Sequence, residues 1–123
     1  MSISIDVPNL DSAIEFYTQG LGFKRVKKFG ADMFILDAGK IKIYLLQKEA
    51  GSASTKFDTA PRSYERHWTP IHFDFDVVDI EKALEQVVAA GGIHEGGNSG
   101  DWGSIAHCSD PFGHGFCLIQ EKK

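Results

Sequence analysis

The chain repeats itself. With Phe75 laid over Ile5, an offset of 70, Asp76-Val77 falls on Asp6-Val7. Ile80, Glu81, Ala83, Leu84, Glu85 and Gly92 then fall on Leu10, Asp11, Ala13, Ile14, Glu15 and Gly22. Near the end of each half, Cys117-Leu118-Ile119-Gln120 falls on Tyr44-Leu45-Leu46-Gln47, at an offset of 73. Two amphipathic helices often match by chance. The same order of elements in both halves, ending in matching strands, is much rarer. Each half reads as one strand, one helix and three strands. Neither half can bury both faces of its sheet alone, so the halves are expected to join.

The elements follow from local pattern. In residues 2–7, Ile3, Ile5 and Val7 share one face and Ser2, Ser4 and Asp6 the other, which is the period of a half-buried strand. Pro8-Asn9 breaks it. Asn9 or Asp11 can cap a helix carrying Leu10, Ala13, Ile14 and Tyr17, which ends near Gly20 and Gly22. Strands are expected at 23–29, 33–37 and 40–47. In the last, Ile41, Ile43 and Leu45 oppose Lys42, Tyr44 and Leu46. The second half opens with a strand at 72–77, where Phe73, Phe75 and Val77 oppose His72, Asp74 and Asp76. Asp79 caps a helix carrying Ile80, Ala83, Leu84, Val87 and Val88, ended by Gly91-Gly92. Residues 93–95 read as a short strand and 96–100 as a flexible loop. Strands at 102–108 and 115–120 flank the turn Asp110-Pro111-Phe112-Gly113. The chain is thus one domain: module one about 1–47, a connecting loop about 48–70, and module two about 71–121. Connections this long are often lids or binding loops. This one carries Arg62, Tyr64, Glu65, Arg66, His67 and Trp68.

Composition excludes several classes. With 123 residues, 42% hydrophobic and 24% charged, the chain can fold without disulfide or metal. A net charge of −4 argues against nucleic acid as partner. The basic run Lys24, Arg25, Lys27, Lys28 reads as a solvated edge strand, where lysines block edge pairing. Two cysteines, Cys108 and Cys117, do not make a disulfide framework. The N-terminus shows no charged and then apolar leader, and no apolar run approaches a membrane span of about 18 residues. A cytoplasmic protein without membrane partner is expected.

Three motifs carry a resemblance. The segment Ile5-Asp6-Val7-Pro8-Asn9-Leu10-Asp11-Ser12-Ala13-Ile14-Glu15-Phe16-Tyr17, continuing through Gly20-Leu21-Gly22-Phe23, resembles the opening module of the vicinal-oxygen-chelate (glyoxalase/bleomycin resistance protein/dioxygenase) superfamily. His72-Phe73-Asp74-Phe75-Asp76-Val77-Val78-Asp79-Ile80 resembles the opening of their second module. Asp110-Pro111-Phe112-Gly113 and the strand after it resemble their closing turn and strand. The likeness spans nearly the whole chain. It implies an α+β fold of two paired βαβββ modules, forming a curved mixed sheet with a concave ligand cup and helices outside. It also implies a homodimer, often with modules paired across chains. The family includes glyoxalase I, metal-dependent thiol transferases for fosfomycin, extradiol dioxygenases, epimerases and non-catalytic bleomycin-binding proteins, so fold does not fix function.

In the metal-dependent members, four cup positions supply ligands. The resemblance places them here at Ser2, Tyr44, His72 and Cys117, and the repeat relates them in pairs. Only His72 is a usual ligand. Neutral Ser and Tyr hydroxyls are poor ligands for a divalent ion. Cys117 can serve zinc, but one His and one Cys fall short of the three ligands a stable site needs. Asp74 lies two residues after His72 and so shares its face; a carboxylate there departs from the family's geometry. No cofactor and no usual four-ligand metal site are expected. His67, His94, His107 and His114 lie in loops or near turns and read as surface or turn histidines.

Other chemistry is possible at the same face. His72 beside Asp74 can form an acid–base pair, since a carboxylate raises and orients an imidazole. The plainer reading is two polar residues lining a wet cup. No base is placed near Cys117, so it reads as an inert buried thiol. The expected protein is a homodimeric small-molecule binder of the glyoxalase/bleomycin-resistance type. Its ligand wall would comprise Ser2, Tyr44, Trp68, His72, Asp74, Trp102 and Cys117. The rival is a lyase or isomerase of the glyoxalase I type, metal-dependent or metal-free through His72 and Asp74.

Overall fold

The computed structural model describes residues 1–56 and 60–122. Module one comprises β1 (Ser2–Val7), α1 (Leu10–Leu21), β2 (Lys24–Phe29), β3 (Met33–Asp37) and β4 (Lys42–Gln47). Module two comprises β5 (Phe73–Asp76), α2 (Ile80–Ala89), β6 (Ile93–Gly100), β7 (Gly103–Ser109) and β8 (Gly115–Glu121). The sheets have orders β1-β4-β3-β2 and β5-β8-β7-β6. In each, the first and last strands pair in parallel and the other pairs are antiparallel. No described helix is long and apolar enough to cross a membrane.

The repeat explains a residue that hydropathy leaves without a reason. Gln47, ending β4, accepts the Leu10 N–H at 2.8 Å. Gln120, near the end of β8, accepts the Ile80 N–H at 2.8 Å. Each last strand therefore caps the helix of its own module. Asn9 and Asp79 add a second bond each, from Ser12 N–H at 2.9 Å and Lys82 N–H at 3.2 Å. These bonds satisfy donors that a helix start cannot satisfy within itself. Gly22 closes α1 at φ 73, where a side chain would be strained.

Helices join the two modules. Ile5, Val7, Ile43 and Leu45 of the first sheet share one core with Phe116 and Leu118 of the second. Phe16 on α1 meets Phe116, ring centroids 6.3 Å apart, and Phe23 meets Phe75 at 5.5 Å. The helices approach closely because small residues face each other: a Cβ on Gly20 would lie 3.1 Å from that of Ala90. The α1–α2 layer thus lies between the sheets, and the described residues show no ladder joining the two sheets. The α+β class and the double βαβββ plan are as the sequence implies. Within one chain each module keeps its own four-stranded sheet. Strand alternation therefore turns Ser4, Asp6 and Tyr44 outward on one side, and Asp74 and Cys117 outward on the other.

One strand is longer than its composition predicts. Residues 96–100 continue β6 as part of an eight-residue strand. Glycine here serves close approach: a Cβ on Gly97 would lie 2.4 Å from the Ile105 carbonyl oxygen. A bulge between His94 and Gly96 absorbs the register shift.

Candidate functional site

Register assembles a polar cluster on the outer face of the second sheet. Asp74 of β5 lies beside Cys117 of β8, and Cys117 lies beside His107 of β7. Residues directly opposite on neighbouring strands point to the same side. His72, two residues before Asp74, places Nε2 3.3 Å from Asp74 Oδ1. Donor atoms of His72, Asp74 and Cys117 all lie within 4.8 Å of one another. The His72 and Asp74 side chains are 41% and 50% exposed, whereas Cys117 is 3% exposed. Burial, reinforced by the Asp74 charge, pushes the Cys117 thiol up to about 11. Burial also pushes Cys108 up to about 11. Both are thiols at neutral pH, so Cys117 is an S–H donor and not a ready nucleophile.

The connection between the modules is tied down as it crosses toward this cluster. Arg62 Nε donates to Asp6 Oδ2 at 2.7 Å, and its Nη1 reaches Ser52 Oγ at 3.1 Å and the Ala53 carbonyl at 2.7 Å. Tyr64 donates to the Lys48 carbonyl at 2.7 Å. The His67 backbone bonds Gly113 and Gly115, at 2.8 and 2.9 Å. His114 Nε2 lies 2.8 Å from the Asp6 carbonyl oxygen, which can only accept. The neutral His114 ring therefore accepts at Nδ1, and His67 Nε2 donates to it across 2.9 Å. Burial, then the neighbouring His114, holds the His67 pKa below its ordinary value. The two histidines thus link the connection, β1 and the 110–115 turn, a role their sequence position does not announce.

Trp68 follows directly and forms a built wall. It lies on Gly115, where a Cβ would sit 2.5 Å from the ring. Its edges meet His72 at 5.4 Å and His107 at 5.7 Å between centroids. The Arg66 guanidinium lies over the ring at 4.7 Å. Glu95 accepts from Trp68 Nε1 at 3.2 Å and, through two short bonds, from Arg66. Those Arg66 bonds, the largest influence on Glu95, hold its carboxyl at about 2. A depressed carboxyl contributes stability above its unfolded value, about 4.5, that is lost as pH falls through its folded value. In a Trp102→Phe protein, Trp68 is the sole tryptophan. Its emission should shift to the red as pH falls from about 4.5 toward 2. Glu95→Gln should show that shift already at neutral pH. A flat signal across the window would speak against the clamp.

The seven residues of the expected wall divide. Trp68, His72, Asp74 and Cys117 come together. Ser2 and Tyr44 belong to the other sheet, where Tyr44 lies between Ser4 and Ile35. Trp102 is exposed at the turn joining β6 and β7. The four ligand positions implied by the resemblance are split two and two between the sheets, and Ser2 and Tyr44 offer only neutral hydroxyls. The residues present do not fit that four-position metal site. Sequence reasoning passed over Arg66, Glu95 and His107 as parts of this site. Their pairing depends on contacts across 27–39 positions, and no local pattern marks it.

A cavity of about 870 Å³ lies between the modules, and His72 and Asp74 of this cluster are among the residues that line it. Ile3, Ile5, Phe23, Ile43, Phe73 and Phe75 line it. Among the described residues the outer edges of β1 and β5 are unpaired, and Met1, Ile71 and Val78 stand exposed beside these strands.

Comparison with known proteins bears on this arrangement. The sequence pattern of the Glyoxalase/Bleomycin resistance protein/Dioxygenase superfamily matches residues 2–118. No curated protein sequence matches significantly. Among solved structures, the chain is similar to a glyoxalase-related enzyme from Fulvimarina pelagi, with TM-score 0.75, 16% identity, and 98% of this chain and 86% of that one covered. It is similar to the fosfomycin resistance protein FosX from Mesorhizobium loti, with TM-score 0.74, 16% identity and coverage of 99% and 91%. It is also similar to lactoylglutathione lyase from Agrobacterium tumefaciens, with TM-score 0.68, 17% identity and coverage of 98% and 91%. At such identities the likeness is one of fold.

Proposed function

Because the chain belongs to the glyoxalase/bleomycin resistance protein/dioxygenase superfamily, we propose that it binds a small organic molecule on the outer face of the second sheet, and does so as a homodimer. The observation that carries this reading is the cluster of His72, Asp74 and Cys117 beside the fixed ring of Trp68. A few converging polar groups against an aromatic wall are the usual form of a ligand site.

A second copy supplies the remaining wall. Two strand edges that no described residue pairs, exposed apolar side chains beside them and a cavity between them walled in part by apolar residues form a surface that soluble proteins generally cover. Pairing β1 of one copy with β5 of the other covers both edges. It also carries the partner subunit's Ser2 and Tyr44 toward His72 and Asp74. Binding without catalysis is the first reading, since the usual metal ligands are missing. The 3.3 Å contact of His72 with Asp74 favours one rival: a lyase or isomerase that moves a proton at His72 Nε2, with Asp74 orienting the ring.

The test has two parts. Light scattering should give twice the 13.6 kDa chain mass; a monomer at working concentration would remove the composite cup. A ligand-observed NMR screen of small polar and aromatic fragments, run with EDTA, should yield hits that bind His72→Ala and Asp74→Ala about tenfold or more weakly. Hits indifferent to both changes would place the ligand elsewhere. Once a ligand is known, His72→Ala separates the two readings. Loss mainly of turnover marks a catalytic residue, and loss mainly of affinity marks a wall.

A further inference from the structure

We propose that His67 and His114 form a proton-sensitive latch that sets the position of Trp68, so that mildly acidic solution loosens the wall of the ligand site. The latch is a chain of three groups. The Asp6 carbonyl oxygen accepts from His114 Nε2 at 2.8 Å, and His114 Nδ1 accepts from His67 Nε2 at 2.9 Å. The two rings cross nearly at right angles, with 80° between their planes. Behind them the backbone of His67 forms a parallel bridge with that of His114. In it the His67 N–H donates to the Gly113 carbonyl at 2.8 Å, and the Gly115 N–H donates to the His67 carbonyl at 2.9 Å. Trp68 follows directly and covers Gly115. The bridge and the ring pair together fix the backbone from which the Trp68 wall projects.

The pair can hold one added proton and not two. A neutral imidazole keeps one accepting nitrogen, whereas an imidazolium carries an N–H on both. With one proton added, the cationic ring donates across the 2.9 Å gap and the neutral ring accepts. A second proton sets two N–H groups and two positive charges face to face, and the rings must part. The bond to Asp6 survives, since His114 Nε2 carries its hydrogen in both forms. The change is therefore a release of the connection and not a loss of the fold. Charged and titratable groups face the pair from each side. Asp110 of the closing turn favours a proton on His67, and Arg66 of the connection opposes it. Glu95 of β6 pairs with that Arg66, and Arg62 takes up the Asp6 carboxylate of β1. Tyr17 of α1 bonds Asp110, and Tyr64 lies edge-on to the His114 ring. Burial, followed by the neighbouring His114, outweighs Asp110 and keeps the His67 pKa below its ordinary 6.5. A ring held neutral in this way contributes stability above 6.5 that is lost as pH falls through the folded value. The latch is thus closed at neutral pH and opens in a window below 6.5.

Regulation of the site rests on the proposed ligand face, but the latch itself is read without ligand. The experiment follows Trp68 emission in the Trp102→Phe protein from about pH 8 to about pH 5, above the window in which Glu95 takes its proton. The emission maximum should move to the red with a midpoint below 6.5, while far-ultraviolet circular dichroism stays constant. His72 and His107 also meet the ring, so the same scan of His67→Gln, which keeps both, isolates the latch. A glutamine amide can donate or accept and so pairs with either form of His114; there the shift should be lost. No shift in the parent, or a shift undiminished in His67→Gln, overturns the latch. If His67→Gln does not fold, long-range ¹H–¹⁵N spectra of the histidine rings in the parent decide instead. The latch requires the His114 proton on Nε2 at about pH 8, and both rings cationic where the emission has shifted. A proton on Nδ1 at the start, or a shift completed while either ring is neutral, overturns it. For the regulatory step, fragments bound at the outer face should lose about threefold more affinity over this range in the parent than in His67→Gln. Equal losses overturn regulation by the latch. Failure of the fragment screen overturns the ligand face and with it the regulatory step, while the emission scan and the ring spectra still decide the latch.

Discussion

Asp110→Ala is expected to destabilise the fold by about 3–5 kcal/mol, since each buried polar group left without its partner costs about 1–3 kcal/mol. Asp110 is 2% exposed. Its Oδ2 accepts the Tyr17 hydroxyl at 2.5 Å, and its Oδ1 accepts the N–H groups of Phe112 at 2.8 Å and His114 at 2.9 Å. Alanine leaves a phenol and two amides unpaired and opens a polar hole. The bond from Tyr17 also crosses between modules, from α1 to the turn before β8. Burial, followed by the Asp110 charge, holds the Tyr17 pKa well above its ordinary value, so the phenol remains a donor throughout the working range of pH. Urea unfolding followed by circular dichroism measures the loss. Asp110→Asn keeps one accepting oxygen and should fall between wild type and Asp110→Ala. A loss below about 1 kcal/mol for alanine would show that water replaces the carboxylate, and that the turn does not depend on it.

Gly115→Ala should displace Trp68 while leaving the sheets intact. The new Cβ would meet the indole at 2.5 Å, with two further ring carbons at 2.8 Å. The ring cannot retreat cheaply, because Arg66 lies over it and Glu95 holds its Nε1. Overpacking of this kind typically costs about 1–3 kcal/mol. Gly115 is not in the left-handed region, so the effect is one of contact and not of backbone strain. Displacement removes the wall beside His72, and fragment affinity should fall about tenfold or more, 1.4 kcal/mol being the equivalent of ten. In the Trp102→Phe background, Trp68 emission reports the ring directly. Unchanged emission together with unchanged fragment binding would mean that the wall yields to a methyl group and does not shape the site.

The two predictions rest on residues that local pattern reads poorly. Asp110 reads as a turn residue, and it is one: its backbone N–H bonds the His114 carbonyl. That its carboxylate is buried against Tyr17, 93 positions away, has no local sign. The connection at 48–70 reads as a candidate lid by its length. Its later part is a strap bonded to β1 and to the closing turn, because Arg62 and His67 meet Asp6 and His114. The glycines of 96–100 read as flexible, yet they continue a strand, because a neighbouring backbone occupies the space a Cβ would need.

What the sequence by itself determined is what short range encodes. Alternation in residues 2–7, helical spacing after Asn9 and Asp79, and the 70-residue repeat are written in neighbouring side chains. They specify the βαβββ modules and which face of each strand is apolar. The resemblance named the superfamily from the same motifs. Only the tertiary structure decided how those faces meet. Docking through Gly20 and Ala90 placed the helices between the sheets, and so parted Ser2 and Tyr44 from His72. Register between β5 and β8 set Asp74 against Cys117, 43 positions away. A one-residue slip there would turn one of the two to the opposite face. Contacts of that range depend on complementarity between whole surfaces, and no window of neighbouring residues contains it.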